Sequence, residues 1–358
     1  MNPKRLEEAD GLIRKAVSNK VFPGAVFLIA RKGVIVTYEA HGEAVSIPRQ
    51  MSRPMKLDTI FDLGSITKPV ATATSLMILL ERGKVQLIDK INHYIPEYKG
   101  VEKEETTLYN LLTHTSGLPA WKPLYGKCKT REEFLKELCS MELECKPGSR
   151  VAYSCLGFIL LTFIIENMTG ESLASFSRKQ IFLPLEMEDT FFNPPEKVRS
   201  RIAATEKCRW RGRILIGEVH DENAFGMGGI SGNAGLFSTA RDLAVFAQTF
   251  LNMGEYGPAR ILSPLTMKLM TRNHTEALNE PWGLGWALKP EKGSSAGELL
   301  PSATFGHTGF PGNSLWIDPE SELIVILLTN RIHPIRENYA IHRVRPLFHN
   351  IIASSIVA

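Results

Sequence analysis

Ser65 and Lys68 stand three residues apart in Phe61-Asp62-Leu63-Gly64-Ser65-Ile66-Thr67-Lys68-Pro69, where a strand-like run (Thr59 to Leu63) meets a strongly helical one (Val70 to Arg82). Pro69 suits the first turn of a helix, where no backbone N–H is needed. A helix that begins just before Ser65 puts the hydroxyl and the amine on one face. The pair could perform nucleophilic catalysis: a desolvated lysine loses its proton near neutral pH and takes one from the hydroxyl. The helix dipole favours negative charge developing at that end. The plainer alternative is a serine that caps the helix beside a lysine that reaches solvent. On the order of one S-x-x-K match is expected by chance at this length, so its weight depends on the residues further along the chain.

Two further stretches carry turn-placed polar residues. Pro147-Gly148-Ser149-Arg150-Val151-Ala152-Tyr153-Ser154-Cys155 sets a tyrosine in a loop just ahead of a buried-type helix. Phe305-Gly306-His307-Thr308-Gly309-Phe310-Pro311-Gly312 ends a strand in glycines that let a ligand approach the backbone. Val219-His220-Asp221-Glu222-Asn223-Ala224 invites a metal reading. Three successive ligands cannot all face one ion on a regular element, and no H-E-x-x-H is present, so neither metal nor cofactor is expected. The one G-x-S-x-G match, Gly293-Ser294-Ser295-Ala296-Gly297, sits in a polar loop without the strand-to-helix context of a nucleophile elbow.

The elements that must position these residues can be read from periodicity. Lys4 to Lys20 is an amphipathic helix, and Gly24 to Ala30 with Val34 to Ala40 is a hairpin. Helical patterns then dominate: Thr106 to Thr113, Thr130 to Met141 with Thr130 and Glu133 spaced as a capping box, Leu156 to Met168 ending at Gly170, Thr239 to Asn252, and Pro264 to Arg272 after Ser263. Gly283 to Leu288, Ala303 to Thr308, Ser314 to Asp318 and Glu322 to Thr329 read as strands, and Arg336 to Ile352 as a closing helix weakened by Pro346. Strands at both ends around a helical middle predict an α+β fold, one antiparallel sheet built from both termini with a helical domain inserted. The expected division is 1–78 and 277–358 for the α/β domain and 79–276 for the mostly helical one.

The 358 residues are 44% hydrophobic and 22% charged, with a formal net charge of +4 and no basic block, which speaks against nucleic acid. The longest apolar run, Gly157 to Ile165, is too short to span a bilayer. The charged N-terminus has no apolar signal segment, and five cysteines without a C-x-x-C pair read as reduced thiols, so a cytoplasmic location is expected. Oligomeric state is not encoded legibly.

Ser65-x-x-Lys68, then Tyr153-Ser154-x, then His307-Thr308-Gly309 resembles the S-x-x-K, Y-x-N, K/H-T-G series of serine β-lactamase-like and penicillin-binding proteins. It is most similar to the branch of class C β-lactamases, D-Ala-D-Ala carboxypeptidases and penicillin-recognising (family VIII) esterases. Leu111-Leu112-Thr113-His114-Thr115-Ser116-Gly117-Leu118, Pro147-Gly148, Gly232-x-x-Gly235-Leu236-Phe237-Ser238-Thr239 and Trp282-Gly283-Leu284-Gly285-Trp286 agree with it, in order, from about Phe22 to Asn330. The resemblance implies the β-lactamase/transpeptidase-like fold and a metal-independent serine hydrolase. Ser65 would form the acyl-enzyme, Lys68 would be its base or base partner, and Tyr153 would pass protons if nearby ammonium groups lower its pKa. The backbone N–H groups of Ser65 and Phe310 would form the oxyanion hole. Cys155, His307, Thr308 and Gly309 would line the substrate site, with His307 anchoring a substrate carboxylate or tuning Tyr153. His114 reads as supporting. Val219 to Ala224 also resembles a stretch of amidases acting on N-acetylmuramyl-L-alanine and would border the cleft.

Two departures set the expected substrate. Cys155 replaces the usual asparagine, and His307 replaces lysine with a side chain mostly neutral at pH 7. Both weaken the grip on a β-lactam, so a carboxylesterase or amidase with weak or no β-lactamase activity is expected. Its partner would be a small ester, amide or peptide. A cell-wall peptide or muramyl amidase, or a D-Ala-D-Ala carboxypeptidase, is the rival assignment. A non-hydrolysing penicillin-binding receptor or scaffold is the alternative of another class.

Overall fold

A computed structural model describes residues 1–357 of the chain. Helix α1 (Pro3–Ser18) is capped by Asn2, whose side chain accepts the N–H groups of Lys4 and Arg5. The predicted hairpin is β1 (Gly24–Arg31) and β2 (Val34–Val45), followed by the short β3 (Arg53–Pro54) and β4 (Phe61–Asp62). The middle of the chain supplies α2 (Thr74–Glu81), α3 (Arg131–Ser140), α4 (Cys155–Thr169), β5 (Phe191–Phe192), β6 (Leu236–Ser238) and α5 (Ala240–Leu251). The end supplies β7 (Ala287–Leu288), β8 (Phe305–Thr308), β9 (Ser314–Asp318), β10 (Leu323–Thr329) and α6 (Ile341–Ser354).

Seven strands form one antiparallel sheet in the order β7-β8-β9-β10-β1-β2-β3, so strands from the two ends of the chain meet at its centre. There Ala25 pairs with Thr329 and Arg31 with Leu323. Alternation divides the central strands between two cores. Val26, Leu28, Ile324, Ile326 and Leu328 face the helical body, while Ala25, Phe27, Ile29, Val325 and Leu327 face α1 and α6. Phe27 meets Phe348 of α6 edge-on at 5.3 Å. Covering both faces explains why these strands read as unbroken apolar runs although the sheet is antiparallel. The fold is the expected α+β architecture.

Helix α4 is apolar all round because it is buried all round: every residue from Leu156 to Ile165 is buried. At roughly 1.5–3 kcal/mol for each large side chain taken out of water, this helix is a rigid anchor for the loop before it. Ser154 caps it, accepting from Gly157 N and donating to Pro119 O at 2.7 Å, and Gly170 ends it in the left-handed conformation. Thr130 likewise caps α3, but the Glu133 carboxylate reaches Lys129 N instead of closing the predicted capping box.

Several elements are shorter than their sequence patterns. The Thr59–Leu63 strand narrows to β4, where Phe61 pairs with Ser238 and Asp62 with Phe237 before the chain turns at Gly64. Only Ala287–Leu288 of the Gly283–Leu288 run is strand, since Gly283 N bonds Trp286 O and Gly285 turns with φ +78°. The closing helix starts at Ile341, not Arg336, because Arg336 is drawn to Glu206 and Glu222 and Asn338 donates to Lys20 O and Val21 O. Among the described residues no single helix is long and apolar enough to cross a membrane.

Candidate active site

The residues around Ser65 are built as a tight turn and not as the start of a regular α-helix. Gly64–Ile66 forms a 3₁₀ turn, and Lys68–Ala73 a π-helical segment that leads into α2. Two side chains hold this turn. Thr67 Oγ1 donates to Gly64 O at 2.6 Å and accepts from Leu236 N. The fully buried Asp62 carboxylate accepts from Gly64 N at 2.9 Å and from His220 N at 2.6 Å. The first of these is an Asx-turn two residues on, a signal present in the sequence. The second joins the Ser65 turn to a loop 158 residues away, which no local pattern announces.

Lys68 is completely buried, and its Nζ donates to Ser65 Oγ at 2.9 Å, to Asn233 O at 3.0 Å and to Cys155 Sγ at 3.5 Å. It also lies 4.9 Å from the centre of the Tyr153 ring. Desolvation is not the only influence on the Lys68 proton. Burial alone pulls its pKa down, but Cys155 and Tyr153, when ionised, pull it up, and the balance lies above the ordinary value. The expectation for Tyr153 also changes: burial pushes its phenol up, and the opposing pull of Lys68 does not cancel that. The proton shared by this close pair belongs to both residues.

The Tyr153 loop is clamped by His114. Its carbonyl accepts from Ala152 N at 2.8 Å and its Nδ1 from Ser154 N at 3.1 Å, so the residues on either side of Tyr153 are fixed by one histidine. His114 holds the left-handed conformation, φ +56°, rare for a residue with a side chain. Its ring centre lies 4.5 Å from the tilted Tyr153 ring and 4.5 Å from Trp282, which it meets edge-on, and burial with the Lys68 charge keeps it well below the usual histidine pKa.

Strand β8 brings His307 and Thr308 to the opposite wall. His307 Nδ1–H donates to Thr308 O at 2.7 Å, leaving Nε2 without a partner in the chain. Burial, aided by the Lys68 charge, holds its pKa down to about 3, so the imidazole is neutral. The exit of β8 packs directly on the Ser65 turn. A Cβ on Gly309 would sit 2.2 Å from Leu63 O, and one on Gly64 2.7 Å from Pro311 Cδ and 3.2 Å from Phe310 N. These two glycines let the backbone N–H region of Phe310 approach that of Ser65.

Ser65 and Tyr153 lie at the junction of two cavities. The larger, about 750 Å³, also meets Trp282, His307, Thr308, Gly309 and Phe310. The smaller, about 370 Å³, meets Trp121, Cys155, His220, Asp221, Glu222 and Arg336. The His220 stretch thus borders the cleft as expected, but its side chains are taken up by Glu206, Arg336 and the backbone. His220 Nε2 meets Glu206 Oε2 at 3.1 Å, Arg336 bridges Glu206 and Glu222, and Asp221 caps the short helix Glu222–Gly226. Among the described residues no cluster of three potential metal ligands is formed. Gly293, Ser294 and Ser295 also line the larger cavity.

The sequence profile of the beta-lactamase family matches residues 9–347. The chain belongs to the beta-lactamase family. It is a serine hydrolase of that family. It is 33% identical to the N-acetylmuramyl-L-alanine amidase of Bacillus subtilis (strain 168), over 92% of this chain and 82% of that protein. It is 34% identical to a putative D-alanyl-D-alanine carboxypeptidase of Escherichia coli (strain K12), over 93% and 83%. In structure it is similar to EstCE1, described as a hydrolase with promiscuous acyltransferase activity, with a TM-score of 0.78, 98% of each chain covered and 23% identity.

Proposed function

We propose that Ser65 is the nucleophile of an acyl-enzyme mechanism acting on small esters or amides, with weak or no β-lactamase activity. The observation that carries this reading is the 2.9 Å contact of buried Lys68 Nζ with Ser65 Oγ beneath Tyr153, at the meeting point of two cavities. The reactive form is the one in which the Lys68–Tyr153 pair is short of one proton. That pair takes the Ser65 proton as Oγ attacks the carbonyl carbon and returns it to the leaving oxygen or nitrogen. The N–H groups of Ser65 and Phe310 receive the developing oxyanion, and the neighbouring ammonium stabilises it. Water then releases the acid and restores Ser65.

The neutral His307 and the thiol of Cys155 support the esterase or amidase reading. Neither offers the charge or the amide that a β-lactam's carboxylate and side chain would need. The relatives named as a muramyl-alanine amidase and a carboxypeptidase favour a second reading, in which the acyl group is a cell-wall peptide fragment. Five unpaired cysteines support a reducing compartment such as the cytoplasm. The test is hydrolysis of 4-nitrophenyl butyrate beside nitrocefin. Fast ester cleavage with little nitrocefin turnover is expected. Efficient nitrocefin turnover would overturn the assignment, and a stable adduct without turnover would indicate an acylated receptor.

A further inference from the structure

His220 is built differently from the other histidines next to Ser65 and Tyr153. His114 and His307 each commit Nδ1 to the backbone, and their Nε2 atoms are buried without a partner. Burial and the Lys68 charge hold both well below the ordinary histidine range, so neither is an effective base near neutral pH. His220 instead has a carboxylate behind its ring. The ring is buried, stacks on Phe310 with centres 5.5 Å apart, and brings Nε2 to 3.1 Å from Glu206 Oε2.

Glu206 is held as a carboxylate. Burial works against its charge, but the hydrogen bonds of His220 and Arg336 outweigh that and bring its pKa to about 2. Arg336 grips it through Nε at 2.7 Å and through Nη2. An ionised carboxylate only accepts, so His220 Nε2 carries the hydrogen and Nδ1 the lone pair. Among the described residues Nδ1 has no partner. A carboxylate in this position both fixes the tautomer and stabilises the imidazolium that forms when Nδ1 takes a proton.

The backbone sets this ring against the nucleophile. His220 N donates to Asp62 Oδ2, while Asp62 Oδ1 holds Gly64 N, so one buried side chain ties both segments together. His220, Ser65 and Phe310 all line the smaller cavity. The carboxylates beside it are engaged, Asp221 with Ala224 N and Glu222 with Arg336. Release of an acyl-enzyme needs a proton taken from water and a proton given to Ser65 Oγ. Lys68 Nζ, 2.9 Å from Oγ, is placed for the second transfer. Acylation makes no use of His220.

We propose that His220, oriented by Glu206, is the general base that activates the hydrolytic water in the smaller cavity, and so drives release of the acyl group from Ser65. This rests on the acyl-enzyme reading above. The water oxygen bonds to the acyl carbon as its proton passes to Nδ1, and the carbonyl electrons move to the oxyanion held by Ser65 N and Phe310 N. Collapse of that intermediate breaks the bond from carbon to Oγ, which takes a proton from the Lys68–Tyr153 pair. The product leaves as the acid. The proton on Nδ1 returns to the pair through solvent in the cavity, so the enzyme ends with the protons it began with.

His220→Gln tests this on the full chain, because the bond from backbone N to Asp62 is kept. With 4-nitrophenyl butyrate in a stopped-flow instrument, the first equivalent of nitrophenolate should appear at nearly the rate of the unaltered enzyme. Steady-state turnover should fall by roughly a hundredfold or more, the size expected for a lost general base. Intact mass should then show one butyryl group per chain, mapped to the Ser65 peptide. Glu206→Gln should give the same pattern with a smaller fall. Hydroxylamine, which attacks esters without a general base, should restore turnover in both variants, read as butyryl hydroxamate. The same criteria judge each variant alone. Unchanged turnover overturns the role, as does an equal loss of the first turnover and the steady state. An acyl-enzyme that resists hydroxylamine overturns it too, since the defect would then lie in the oxyanion hole. Absence of Ser65-dependent cleavage in the unaltered enzyme overturns the acyl-enzyme reading and this role with it.

Discussion

Replacing His307 with lysine would restore the residue type more usual in the family's third motif, and the structure sets the cost. Burial, with the Lys68 ammonium nearby, holds His307 at about 3 against an ordinary 6.5. At 1.36 kcal/mol per pH unit that difference corresponds to about 5 kcal/mol against a positive charge at this point. His307→Lys meets the same penalty, which would bring the new amine from about 10.4 to about 7. The folded state then binds that proton more weakly than the unfolded chain does. Stability is therefore unaffected above about pH 10.5 and is lost as pH falls through the unfolded value, by about 1.4 kcal/mol per pH unit. The loss levels off near 5 kcal/mol around pH 7, a large fraction of a typical total of roughly 5–15 kcal/mol. Urea unfolding of both proteins between pH 6.5 and 10.5 reads the gap directly, since titrations common to the two cancel. Nitrocefin turnover should not rise. A gap below about 1 kcal/mol at pH 7, or one that does not change with pH, would refute the electrostatic reasoning.

Tyr153→Phe should lower kcat by roughly two orders of magnitude or more through lost proton transfer, with a thermal melt checking that the fold is kept; near-normal turnover removes Tyr153 from the mechanism. The rate of acylation should climb across the alkaline range, because Lys68 and Tyr153 both titrate above their ordinary values. No step near pH 6.5 should come from His114 or His307, which stay neutral there; stopped-flow acylation from pH 5.5 to 10 checks both statements. Gly309→Ala places a methyl group against Leu63 O and forces β8 away from the Ser65 turn. Acylation should fall at least a hundredfold, more than the melting temperature would suggest, and an unimpaired variant would show that the approach of Phe310 to Ser65 is not needed.

The pieces of the site that were legible in the sequence are those whose geometry is local. Ser65 and Lys68 face each other because they are three apart, and Tyr153 is held one residue ahead of a helix that Ser154 caps and burial makes rigid. The protonation of Lys68 was not legible. Cys155 and Tyr153, whose charges oppose the pull of burial on it, lie far along the chain, Cys155 87 residues away. The start of α6 was missed for the same reason, since Glu206 and Glu222 lie 130 and 114 residues from Arg336. His114 could be read only as supporting, because its clamp on Tyr153 depends on a left-handed backbone that the residue type does not announce. The central strands, by contrast, declared themselves through apolar runs that only a sheet covered on both faces tolerates.

The central claim is that Ser65 Oγ is the atom acylated. Intact-mass measurement after treatment with a fluorophosphonate tests it most directly, followed by peptide mapping and by the same treatment of Ser65→Ala. One adduct per chain, mapped to the peptide containing Ser65 and absent from the alanine variant, is the expected result. An adduct that persists in Ser65→Ala, or that maps to Ser294, Ser295 or Cys155, would contradict it.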